Sequence, residues 1–145
     1  MQERKLMEMV EAAGTIAIAG HVRPDGDCVG SCLAVCNYIT EQYPEKTVDV
    51  YLETPPVKFS YLKQFERISS DSNTGKQYEL CICLDSGDRE RLGNNVVYLD
   101  TAKTSICIDH HITNKGYAAS NFVNASASAT CEFLYDFLDE EKISK

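Results

Sequence analysis

Four short strand-like runs constrain this chain most: Thr15–Ala19, Thr47–Leu52, Tyr78–Leu84 and Thr104–Ile108. Each is rich in β-favouring residues, and Thr15–Ala19 is continuously apolar, as expected of a parallel strand buried on both faces. The stretches between them carry helical spacing. Lys5–Ala13 is a short amphipathic segment ended by Gly14, and Cys28–Tyr43 sets Cys28, Cys32, Leu33, Cys36 and Ile39 on one stripe before stopping at Pro44. Pro55-Pro56 opens a weaker helical segment to about Phe65, Asp88–Leu92 reads as a short helix, and Gly93–Lys103 favours no single state. Ala118–Val123 reads as a further strand at an edge, and Ser126 or Ser128 would cap a last helix with Phe133, Leu134, Phe137 and Leu138 on one face. Strands alternating with helices predict an α/β fold, a mostly parallel sheet with helices on both faces, in one domain of 145 residues.

The residues that follow these strands are nearly all His and Asp. His21, Asp25 and Asp27 come after the first run, Asp85 after the third, and Asp109-His110-His111 after the fourth. Parallel sheets bind ligands outside the carboxyl ends of their strands, where these side chains fall. The chain has 3 histidines, and all belong to this set. Taken singly, each cluster has a bland explanation: a turn, a helix cap, a surface pair. Their arrival after three separate strands points instead to a metal site at one edge of a sheet. Pro24 stiffens the first loop and Gly26 lets the backbone bend between Asp25 and Asp27, so the two acids can diverge and serve different ions. Asp85 has two oxygens and can bridge both. Oxygen donors with one imidazole per ion suit Mn²⁺, with Mg²⁺ less favoured and Co²⁺ or Fe²⁺ able to substitute. Two ions roughly 3.5–4 Å apart can activate water and stabilise both the attacking and the leaving oxygen of a phosphoryl transfer.

Charge and composition narrow the partners. A net charge of −8 argues against tight, nonspecific binding of duplex DNA, yet suits carboxylates awaiting divalent cations. No apolar run approaches membrane-spanning length and Met1–Val10 is polar, so a cytoplasmic location without membrane contact is expected. The 7 cysteines are odd in number, include no Cys-x-x-Cys pair and lie mostly in apolar runs. They read as small core residues kept reduced rather than as zinc ligands.

Three motifs, in order, resemble the DHH phosphoesterase family: His21-x-x-Pro24-Asp25-Gly26-Asp27-x-x-Gly30-Ser31, Leu84-Asp85-x-Gly87-Asp88-x-x-Arg91-Leu92-Gly93, and Ile108-Asp109-His110-His111. Asn121–Asn124 and Ser126–Glu132 also resemble the family segment that follows Asp-His-His. The stand-alone members that degrade very short RNAs and dephosphorylate 3′-phosphoadenosine 5′-phosphate are the nearest in appearance, beside the cyclic di-AMP phosphodiesterases. The resemblance implies a Mn²⁺-dependent hydrolase of short RNA or nucleotide substrates. One ion would go to His21 and Asp25, the second to Asp27 and His110, with Asp85 bridging. Asp109 would orient a ligand imidazole, and His111 would sit beside the transferring phosphoryl group. Arg23 and Arg91 are possible phosphate contacts. Family members carry a further metal-binding Asp after Asp-His-His and a second, substrate-gripping domain. Neither has a counterpart here, since the later aspartates, Asp136 and Asp139, lie in the expected last helix. The reading is therefore of residues 1–145 as the N-terminal part of such an enzyme, weakly active alone and able to dimerise through an uncovered apolar face. Two alternatives stay open: a metal- or nucleotide-binding module without turnover, and a pyrophosphatase or exopolyphosphatase sharing the same metal motifs.

Overall fold

The computed structural model describes residues 2–126 together with 129 and 130. The expected last helix, with Phe133, Leu134, Phe137 and Leu138, lies outside the described residues, as do Asp136 and Asp139. Six parallel strands form one sheet in the order β3-β2-β1-β4-β5-β6. They are β1 (Thr15–Ala19), β2 (Thr47–Tyr51), β3 (Ile68–Ser69), β4 (Leu80–Leu84), β5 (Thr104–Asp109) and β6 (Ser120–Val123). The helices are α1 (Gln2–Ala12), α2 (Gly26–Gln42) and α3 (Val96–Thr101).

The apolar runs are continuous because the sheet is covered twice. In register, Ile16 pairs with Val48 and Leu80, and Ile82 pairs with Ile106, so side chains of one parity share one face. Ile16, Ile18, Val50, Ile82 and Ile106 pack beneath Leu6 and Val10 of α1 and Cys32, Leu33 and Cys36 of α2. The opposite parity, Ala17, Ala19, Tyr51, Cys81 and Cys83, packs beneath Tyr98 and Leu99 of α3. Helices thus cover both faces, as the strand pattern predicted.

Local readings differ where turn geometry overrides pattern. The segment after Pro55-Pro56 forms two short 3₁₀ turns, Val57–Phe59 and Phe65–Arg67, rather than a helix, because Gln64 takes a left-handed φ of 68° that no helix continues through. The two-residue β3 went unforeseen, being too short to show a period. Asp88–Leu92 is displaced to a 3₁₀ turn at Glu90–Asn95, bent at Gly93 (φ 61°, ψ −138°) before α3 begins. A Cβ on Gly93 would meet Val22 Cγ1 at 2.5 Å, so the loop after β1 packs onto this bend only because the residue is glycine. Strand order reverses between β1 and β4, and the crevice there opens at the carboxyl ends of the strands.

Candidate metal centre

The switch in strand order places the loop after β1, the end of β4 and the end of β5 side by side. Three local features aim their side chains. Asp25 caps α2, its Oδ1 accepting from the Cys28 amide at 3.0 Å, which fixes both acids of the first loop at a helix N-terminus. Asp85 leaves β4 with a left-handed φ of 59°, its amide held by Ile108 O at 3.0 Å. Asp tolerates that conformation better than most residues, but a buried acid held there is a local cost typical of functional sites. Asp109 is the last residue of β5, so His110 and His111 fall just beyond the sheet.

Asp85 sits at the middle, with its side chain only 4% exposed. Its Oδ2 faces His21 Nε2 at 3.4 Å and its Oδ1 faces His110 Nε2 at 3.5 Å. Asp25 Oδ1 lies 3.7 Å from His21 Nε2, and Asp27 Oδ2 lies 3.7 Å from His110 Nε2. The structure therefore groups His21 with Asp25, and His110 with Asp27, on either side of Asp85. These separations are long for hydrogen bonds. They are close to the spacing of neighbouring ligands on one cation, about 3.0–3.4 Å for bonds near 2.1 Å. His21 Nδ1 donates to Val22 O at 2.6 Å, which leaves Nε2 turned to the acids as an electron-pair donor once deprotonated.

The electrostatics show where positive charge is wanted. The Asp85 carboxylate, followed by Cys28, pushes His21 up to about 11, so without a metal the ring carries a proton against the acids. Burial raises Asp85 above the ordinary carboxylate range, and the charge of Asp27 adds to it. A hydrogen bond from Cys32, then the neighbouring His21, lowers Cys28 to about 7. The donor chemistry thus fits divalent cations: among the described residues, carboxylates converge with two imidazole nitrogens and no lysine or arginine is paired with them. His21, Cys28 and Asp85 each offer an atom within 4.8 Å of the other two, and so do Asp85, His110 and His111.

The imidazole that Asp109 orients is His111. Asp109 is fully buried, its Oδ1 2.6 Å from His111 Nδ1. Asn114 Nδ2 donates to its Oδ2 at 2.9 Å. The short step of chain between residues 109 and 111 turns His111 back over the acid while His110 points to Asp85, the two rings lying 4.5 Å apart. His111 Nε2 remains free of that pairing, and the side chain is 41% exposed. Arg23 and Arg91 are exposed, and their main chains rather than their side chains build the loops: Arg23 N donates to Glu53 at 2.7 Å, and Arg91 O accepts from Val22 N at 2.7 Å. A cleft of about 390 Å³ beside Gly87 is lined by Arg89, Thr113, Lys115 and Tyr117.

Two contributors escaped the sequence reading. Thr130, fully buried, donates its hydroxyl to Asp85 Oδ1 at 2.9 Å and its amide to Asp27 Oδ2 at 2.9 Å. Its only signal was the family-like look of Ser126–Glu132. Cys28 was read as core, as the six described cysteines indeed are by burial, yet it alone stands among the metal donors.

Comparison with known proteins agrees with the fold and the motifs. The model of the DHH family, N-terminal domain, matches residues 15–145. A probable bifunctional oligoribonuclease and PAP phosphatase NrnA of Streptococcus mutans is 32% identical over 136 residues, covering 92% of this chain and 41% of that protein. The Bacillus subtilis bifunctional oligoribonuclease and PAP phosphatase NrnA is 30% identical over 138 residues, covering 95% of this chain and 42% of its own length. The crystal structure of an exopolyphosphatase-related protein from Bacteroides fragilis superposes with a TM-score of 0.84 at 22% identity, over 95% of this chain and 43% of that one, and shows the same fold. The chain spans about two-fifths of the length of the curated relatives it matches.

Proposed function

This chain belongs to the DHH family by its N-terminal domain, and from that membership we propose a phosphoesterase centre that holds two divalent cations, manganese foremost, and hydrolyses short oligoribonucleotides or 3′-phosphoadenosine 5′-phosphate. The observation that carries the reading is Asp85, whose two oxygens face imidazoles from two different loops. In this reading His21 and Asp25 would hold one cation and Asp27 and His110 the other, with Asp85 available to both. When bound, the cations supply Lewis-acid activation of water and charge stabilisation at both oxygens of the displacement. The chain's own residues do the remainder. Asp109 keeps the His111 proton on Nδ1, so Nε2 is the atom that exchanges a proton with, or donates to, an oxygen of the phosphoryl group. The exposed Arg23 and Arg91 stand as phosphate contacts, and the substrate reaches the centre from the open side on which His111 and Asp25 are exposed. No helix among the described residues is long and apolar enough to cross a membrane.

Binding and turnover are measured separately. The protein is assayed with Mn²⁺ against RNAs of a few nucleotides, 3′-phosphoadenosine 5′-phosphate and pyrophosphate. Metal-dependent release from the first two is expected. Asp109→Asn should lower it by about 100-fold, the lower end for positioned proton transfer, with Mn²⁺ affinity unchanged. Tight metal binding without turnover of any substrate would favour a binding module, and preference for pyrophosphate would overturn the substrate class.

A further inference from the structure

One side chain that the phosphoesterase reading leaves idle lies inside the centre. Cys28 stands in the first turn of α2, next after Asp27, and is fully buried. Its thiol is within 4.8 Å of a donor atom of His21 and of Asp85, and all three residues are buried. The chain makes room for that sulfur. A Cβ on Gly20, just past the end of β1, would lie 2.3 Å from Cys28 Sγ, so any other residue there would displace the thiol. Asp25 ties the group together, its Oδ1 accepting from the Cys28 amide at 3.0 Å while standing 3.7 Å from His21 Nε2.

Resting on the reading that His21 and Asp85 hold an ion, we propose that Cys28 is a thiolate ligand to that ion. The two positions of the centre then differ in kind. On the His21 side the donors are nitrogen, sulfur and the oxygens of Asp25 and Asp85, a four-donor set that suits tetrahedral zinc or iron(II). On the His110 side the donors are one nitrogen and the oxygens of Asp27 and Asp85, which suit a harder ion such as manganese. Among the described residues no other cysteine joins such a donor group, and Cys81 Sγ and Cys83 Sγ face each other at 3.9 Å beneath α3. The centre is thus a mixed one, with Cys28 and the His21 ring buried and Asp25 exposed at its mouth.

Cobalt substitution of the purified protein tests this without reference to turnover. A thiolate-to-cobalt charge-transfer band in the near ultraviolet is expected beside the visible d–d bands, in the wild type and in Cys32→Ala. In Cys28→Ala the charge-transfer band should vanish while the d–d bands persist. The preference for zinc over manganese in a competition titration should fall by at least about 10-fold, the smallest loss ordinary for a supporting partner of a metal ligand. Cobalt d–d bands with no charge-transfer band in the wild type, or a band that survives Cys28→Ala, would overturn the sulfur ligand and leave the metal centre standing. Absence of any cobalt spectrum would overturn the metal-centre reading itself.

Discussion

Two buried polar clusters share this sheet, and only one is complete by itself. Beneath α3, the Tyr51 and Tyr78 hydroxyls meet at 2.5 Å, and Tyr78 donates to Asp49 Oδ2 at 2.6 Å. Tyr98 stacks on Tyr51 at 3.8 Å and donates to Asp71 O at 2.7 Å, and Lys76 Nζ stands 3.7 Å from Asp49. Every hydroxyl ends on a partner and the one carboxylate has protons directed at it. At the strand ends, three carboxylates face two imidazoles across gaps of 3.4–3.7 Å. The first network passes its hydroxyl protons on to one carboxylate, whereas the second gathers three carboxylates around two imidazoles, a set of donors that a cation can join. The difference separates structural polarity from functional polarity within one small core.

The largest expected effect tests the open cluster. Asp85→Asn should weaken binding at both ion positions by more than about 100-fold, exceeding the loss usual for supporting residues. Saturating Mn²⁺, at 100 times the wild-type dissociation constant, should stabilise the wild type by about 2.7 kcal/mol per site and the variant by almost nothing. Thermal unfolding with and without metal reads this directly. The closed cluster should respond in the opposite sense. Tyr78→Phe removes a hydroxyl shared by Asp49 and Tyr51 and should cost about 1–3 kcal/mol of stability, with metal affinity unchanged. Burial, then Asp49, holds the Tyr78 hydroxyl protonated well above the usual tyrosine range. That contribution is fully present below the unfolded tyrosine's pKa of about 10 and is lost as pH rises beyond it, because only the unfolded chain then releases the proton. Urea unfolding from pH 8 to 11 should therefore show a steeper alkaline fall for the wild type than for the variant. A Tyr78→Phe protein that binds metal poorly would erase the distinction between the two clusters.

The strand-end cluster was more legible in the sequence than the tyrosine one, for a physical reason. Short buried strands advertise themselves by continuous apolarity, and the residue after each is fixed in direction, so His21, Asp85 and His110 could be placed together from chain order alone. The pairing of Asp109 with His111 depends on how the chain turns after β5, which no period encodes. Tyr78 read as a strand residue because its ring is apolar, although its hydroxyl serves Asp49 from outside β4. Gln64, with its left-handed backbone, broke a helix that proline spacing had suggested.

Thr130 is the sharpest test of what lies beyond pattern, because it is 103 residues from Asp27 and 45 from Asp85 in sequence yet bonds both. Its hydroxyl occupies one lone pair of Asp85 Oδ1 and its amide one of Asp27 Oδ2, which fixes the directions in which the remaining lone pairs point. Thr130→Val keeps the shape and the amide contact and removes only the hydroxyl. Metal affinity should fall by about 10-fold, the low end for a partner that orients a ligand, and the loss should appear in calorimetric titration as a weaker dissociation constant with unchanged stoichiometry. Thr130→Ser, which restores the donor, should recover most of it. Weakening in Thr130→Ser with none in Thr130→Val would mean that Thr130 acts through packing of its methyl group, and the open cluster would then be held by its own loops alone.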